Sequence, residues 1–173
     1  LLVAAKLLSN GFLYKHIRVQ GGAYGGMCQY DPSSGIFAFL SYRDPHIVET
    51  LQVYNDAITF LTGEGVAKEE MEKAIIGTIG ALDKPMDPAT RGYVAMIRDF
   101  AGLDDKIRLN LRCKILDMNE DGLREDMARF LATASAAAII AVLGEGNRLR
   151  EANAVLKRQL KVEPYLVERF LNS

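Results

Sequence analysis

At 173 residues, 49% of them hydrophobic and 25% charged, the chain is long enough for one domain with a real core and too apolar for a disordered one. Its formal charge of −1 at pH 7 removes the broad electrostatic case for nucleic acid or an anionic membrane as a partner. No apolar run approaches the ~18–20 residues of a membrane span, because Lys6 interrupts the first and Glu145 follows the last. Cys28 and Cys113 form neither a metal spacing nor a disulfide framework, which favours a reducing compartment.

The chain opens on Leu1-Leu2-Val3-Ala4-Ala5-Lys6-Leu7-Leu8, inside a helix, with no Met, no cap and none of the marks of a signal peptide. It therefore reads as a piece of a larger protein. The apolar pattern predicts a helix over 1–17, with Gly11 as a kink or a point of close approach. Gly21-Gly22-Ala23-Tyr24-Gly25-Gly26 follows. Asp31-Pro32-Ser33-Ser34-Gly35 is turn chemistry, and it predicts a β-hairpin of roughly 22–30 with 36–43. Asp44-Pro45 reads as a helix start, with Ile47, Leu51, Tyr54, Ile58 and Leu61 as the buried face and Gly63-Glu64-Gly65 as the stop. A second helix runs over 68–82, with Met71, Ile75, Ile79 and Leu82 on one side. Its Gly77 and Gly80 would let another backbone come near. Lys84-Pro85-Met86-Asp87-Pro88 is an ordered loop, and helices are predicted at 89–101, 104–117 and 120–134. Residues 138–143 read as a short buried strand, Gly144 to Asn147 as a turn, and 148–159 as a last helix. The expected class is α+β, a small and mostly antiparallel sheet covered by helices on one face.

Most candidate chemistry falls short. His46-Ile47-Val48-Glu49-Thr50 is an incomplete H-x-x-E-H: Thr50 stands where a second imidazole is needed, and His16, the other histidine, is remote. His46 reads as a surface residue and no metal ligands are assigned. The glycine cluster at 21–26 leads into a strand, whereas a phosphate loop must lead into a helix. Gly144-Glu145-Gly146-Asn147-Arg148-Leu149 lacks the third glycine of a dinucleotide fingerprint. Neither cysteine has a histidine near it in sequence, so both read as small packing residues. Asp104-Asp105 and Glu69-Glu70 suit helix starts, where the macrodipole favours negative charge.

What remains is the run from Ile17 to Gly26. Four glycines within six positions are costly to order in a strand and suit a place where another backbone lies close. Arg18 offers a fork of donors and Tyr24 a hydroxyl on a rigid ring; aimed at a scissile carbonyl, such donors stabilise an oxyanion. The plainer reading is a glycine-rich hairpin entry with Arg18 ion-paired and Tyr24 packed.

Ile17-Arg18-Val19-Gln20-Gly21-Gly22-Ala23-Tyr24-Gly25-Gly26, followed by Phe39-Leu40-Ser41-Tyr42-Arg43-Asp44-Pro45, resembles the last domain of the presequence-protease branch of the pitrilysin (insulin-degrading-enzyme-like) zinc metallopeptidases. Ala74-Ile75-Ile76-Gly77-Thr78-Ile79-Gly80-Ala81-Leu82-Asp83 and Arg91-Gly92-Tyr93 agree, and the resemblance covers roughly residues 1–135. It implies a processing-peptidase-like α+β fold and a parent metalloendopeptidase that degrades unstructured peptides in a closed chamber of four related domains. Residues 1–173 would be the single C-terminal domain, with its first strand missing before Leu1. Zinc, the implied cofactor, would be bound by the N-terminal domain. Arg18 and Tyr24 would meet the substrate carbonyl and the oxyanion, and Gly21, Gly22 and Ala23 would line the peptide.

The implied partners are a peptide substrate and the other domains of the same chain, with neither nucleic acid nor membrane. The compartment is cytoplasmic for a bacterial member and an organelle matrix for a eukaryotic one. The segment alone is expected to be inactive and to hold no stoichiometric zinc. The alternative is a non-catalytic structural or partner subunit of a pitrilysin-type assembly.

Overall fold

Leu2 to Gln20 form a helical stretch whose hydrogen bonding changes along its length. A computed structural model describes residues 1–63, 66–134 and 137–164. Its first helix, α1 (Leu2–Leu7), gives way to two π-helical segments, Leu8–Phe12 and Tyr14–Gln20, in which the turn widens by one residue. Gly11 lies in the first of them, with nothing near its Cα where a Cβ would stand. It is therefore not a point of close approach. The helix runs on to Gln20, so Arg18 is a helical residue.

Two strands follow, β1 (Gly25–Asp31) and β2 (Ile36–Tyr42), paired antiparallel with Gly25 opposite Tyr42 and Asp31 opposite Ile36. The turn between them is held by Asp31, whose carboxylate accepts from the Ser33 N–H at 3.0 Å and from the Ser33 and Ser34 hydroxyls, while Gly35 supplies a φ of +72°. Alternation places Cys28, Tyr30, Phe37 and Phe39 on the face that meets the helices. Gln29, Ile36, Leu40 and Tyr42 face out and are exposed.

The helices α2 (Val48–Thr62), α3 (Lys68–Leu82), α4 (Pro88–Phe100), α5 (Asp105–Leu116), α6 (Glu120–Ala134) and α7 (Gly146–Val155) complete the described elements. The core joins Val3, Leu8, Leu13 and Ile17 to Leu61, Met71, Leu123 and Met127. Each such side chain contributes about 1.5–3 kcal/mol by leaving water. The architecture is α+β: helices on one side of a two-stranded antiparallel sheet.

Several details differ from the expectations. The buried centre of α2 is Thr50, Ala57 and Leu61, with Tyr54 and Ile58 flanking it; that of α3 is Met71, Ala74 and Thr78, with Ile75, Ile79 and Leu82 packed beside them. A Cβ on Gly77 would meet the Lys6 side chain at 2.8 Å, and none would be met at Gly80, so the near neighbour of α3 is a side chain and not a backbone.

Helix α2 starts at Val48, not at Pro45, because Asp44 spends its carboxylate on the His46 N–H and the Thr50 hydroxyl. Gly63 ends it as expected; Glu64 and Gly65 lie outside the described residues.

Residues 138–143 are not a strand. Ile139 and Leu143 are 91% and 81% exposed, and neither strand of the hairpin pairs with them. The last helix stops at Val155 and not at 159, because Asn153 exchanges two 2.7 Å hydrogen bonds with the Leu160 backbone and turns the chain back.

Candidate functional site at the helix–strand joint

Residues 17–26 form the joint between the π-helical segment and β1. The Gly21 N–H donates to His16 O, the Gly22 N–H to Arg18 O at 3.1 Å and the Ala23 N–H to Ile17 O at 3.1 Å. These nested bonds satisfy the last carbonyls of the helix, and the φ of +74° at Gly22 makes the reversal possible, a closure that glycine favours. A Cβ on Gly26 would stand 2.7 Å from that of Ile17. The crowding of glycines thus answers contacts inside the joint. Ala23 is buried, its methyl in the core. The N–H groups of Gly21, Gly22 and Ala23 are all engaged, so carbonyls are what this turn has left for a peptide backbone.

Arg18 and Tyr24 stand at the two ends of this turn, and both are exposed. The Arg18 guanidinium lies 5.4 Å from the Tyr14 ring centroid and pairs with no carboxylate among the described residues. Tyr24, 66% exposed, meets Tyr42 edge to face at 5.9 Å, with the Arg43 guanidinium 5.9 Å from its ring centroid. Arg18 thus has an aromatic neighbour in place of an ion pair among the described residues, and Tyr24 is packed on one side only, against Tyr42 and Arg43. Each donor has its own aromatic support, and neither lines the two clefts found elsewhere on the described surface.

The larger cleft, about 430 Å³, lies between α1, β1 and α3 and is lined by Leu2, Lys6, Ser9, Cys28, Tyr30 and Thr78, among others. There the Ser9 hydroxyl accepts from the Cys28 N–H and donates to the Cys28 carbonyl, both at 2.8 Å. Burial pushes the Cys28 thiol up to about 12, which suits a packing residue and not a nucleophile. Cys113, expected to pack, is exposed on α5. The smaller cleft, about 300 Å³, is lined by Gly11, Phe12, Lys15, His16, Phe60 and Glu70.

His46 reaches Glu49 at 3.9 Å, and the Thr50 hydroxyl is turned to Asp44. Among the described residues, no three His, Cys, Asp or Glu side chains stand together as a metal-ligand set. No described helix is long and apolar enough to cross a membrane.

Spacing alone does not single out Ser9 or Arg43. A lone serine on an apolar helix carries no motif, and nothing about an arginine announces a positive φ.

The family described as the PreP C-terminal domain matches residues 1–145. The chain belongs to the presequence protease C-terminal domain family. Curated relatives of the chain include presequence protease 1, chloroplastic/mitochondrial, of Arabidopsis thaliana, 45% identical over 114 residues, or 66% of this chain and 11% of the relative. The mitochondrial presequence protease of Mus musculus is 31% identical over 147 residues, covering 85% and 14%. That of Emericella nidulans is 29% identical over 164 residues, covering 95% and 15%. The chain thus spans between about a tenth and a sixth of the length of these presequence proteases.

Proposed function

We propose that residues 1–173 act as the C-terminal domain of a peptide-degrading endopeptidase of the pitrilysin type. In this reading, Arg18 and Tyr24 contribute hydrogen-bond donors to the bound peptide. The observation that carries it is their placement: two exposed donors, each held by an aromatic neighbour, at opposite ends of the tight turn from Gly21 to Ala23.

A peptide bound as an added strand is recognised through its backbone. The carbonyls of Gly21, Gly22 and Ala23 suit its N–H groups, and Arg18 and Tyr24 suit its carbonyls. A donor aimed where negative charge develops on a scissile carbonyl lowers the barrier because it need not reorganise during the reaction. In this reading zinc belongs to another domain of the parent chain, and the parent works in the organelle matrix like the chloroplastic and mitochondrial relatives. The chemistry of this segment is that of its own donors.

The test is kinetic and uses the full-length enzyme. Tyr24→Phe should lower kcat by ~10²–10³, the loss typical of one oxyanion donor. Arg18→Ala should also lower turnover, with zinc content unchanged by metal analysis. Unchanged turnover in Tyr24→Phe would remove the phenol from the mechanism.

A further inference from the structure

Arg43 is the one described residue other than glycine with a positive φ, +49°. This conformation is unfavourable for an L side chain and persists where neighbouring structure imposes it. Here both flanks are fixed. Tyr42 is the last residue of β2, locked opposite Gly25. Asp44 is anchored to the entrance of α2 by the His46 N–H at 2.9 Å and by the buried Thr50 hydroxyl at 2.7 Å. The carboxylate next to Arg43 in sequence is therefore turned away from it. The guanidinium lies 5.4 Å from the Tyr42 ring centroid and 5.9 Å from that of Tyr24, and the two rings meet edge to face. A cation shared by two aromatic rings holds them by their electron-rich faces.

We propose that Arg43 is a positioning residue for Tyr24. The left-handed turn at Arg43 aims its guanidinium back across the end of the hairpin, and there it clamps the Tyr24 ring against Tyr42. Tyr24 has little burial to hold it, so this clamp is what fixes its hydroxyl. The inference rests on the reading of Tyr24 as a substrate-facing donor and adds the group that places it.

The test is a double-mutant cycle in the full-length enzyme. Arg43→Gly removes the guanidinium while suiting the left-handed backbone, so thermal unfolding should show the fold retained. Its kcat should fall about 10- to 100-fold, as displacement of a reacting group does, with KM nearly unchanged. Arg43→Lys, which keeps a cation over the rings, should recover part of the loss. In the Tyr24→Phe background, Arg43→Gly should have no further effect on kcat. Wild-type kcat in Arg43→Gly, or an equal loss in both backgrounds, would overturn the positioning role and leave Tyr24 its own. If Tyr24→Phe alone has wild-type kcat, the underlying reading fails and the positioning role fails with it.

Discussion

The Gly26 backbone lies against the Ile17 side chain: an added Cβ would stand 2.7 Å from the Ile17 Cβ and 2.9 Å from its Cγ2. Ile17 is 2% exposed and cannot swing away, so this contact sets how closely β1 follows the helix. It also sets the separation of Arg18 from Tyr24, since one follows Ile17 directly and the other precedes Gly26 by two residues. Gly26→Ala should destabilise by about 1–3 kcal/mol, the cost of overpacking a closed site. At Gly25 the nearest atom is the flexible Met27 Cε at 3.5 Å, so Gly25→Ala should be neutral or slightly stabilising. Urea unfolding of the two variants side by side checks this, and equal effects would disprove the contact.

Ser9 stands in for a strand partner at the outer edge of β1. Its hydroxyl takes both the N–H and the C=O of Cys28, groups that would otherwise lie part-buried and unpaired. Ser9→Ala should destabilise by about 1–3 kcal/mol, because the desolvated backbone groups lose their partner. Amide exchange at Cys28 should quicken more than at Tyr30. Unchanged protection at Cys28 would show that the hydroxyl is dispensable.

The elements legible in the sequence are those with strong local signals. The helix expected from 89 begins at Pro88, and Asp87, part of the expected loop, caps it: its carboxylate accepts from the Thr90 N–H at 3.0 Å. Asp104 caps α5 through the Ile107 N–H in the same way. The hairpin follows from Asp31 and Gly35. What local pattern could not give is competition between partners. Asp44 has the chemistry of a helix cap, but Thr50 and His46 claim it first. Residues 138–143 have strand composition, but a strand needs a neighbour, and the hairpin offers them none. At the candidate site, Arg18 and Tyr24 stand out as donors in the sequence, and Tyr14 lies four residues before Arg18 on the same helical stretch; Tyr42 and Arg43, which meet Tyr24, depend on a fold that brings 24 beside 43.

The hairpin turn gives a pH-dependent contribution. Hydrogen bonds from the Ser33 hydroxyl, the Ser34 hydroxyl and the Ser33 N–H hold the Asp31 carboxyl down at about 2. In the unfolded chain an aspartate titrates near ~3.9. The folded state binds the proton less tightly, so this contribution is complete above that unfolded value and is lost as pH falls toward 2. Wild type and Asp31→Asn should therefore differ most in stability above pH ~4 and converge as the carboxyl is protonated. Unfolding midpoints measured across that window check the sign. A difference that grows on acidification would place the charge in an unfavourable setting.

The two thiols should separate by accessibility. Cys28 is 5% exposed and burial drives its thiol up to about 12, so in the native state it is both covered and protonated. Cys113 is exposed on α5. Only the thiolate attacks a disulfide reagent, so an aromatic disulfide at mildly alkaline pH should titrate Cys113 promptly and Cys28 only after denaturant is added. Cys113→Ser should abolish the native reaction and leave the denatured one. Fast labelling of Cys28 in that variant would mean that β1 detaches from the helix on the timescale of the reaction. The joint would then be too loose to hold Arg18 and Tyr24 in register.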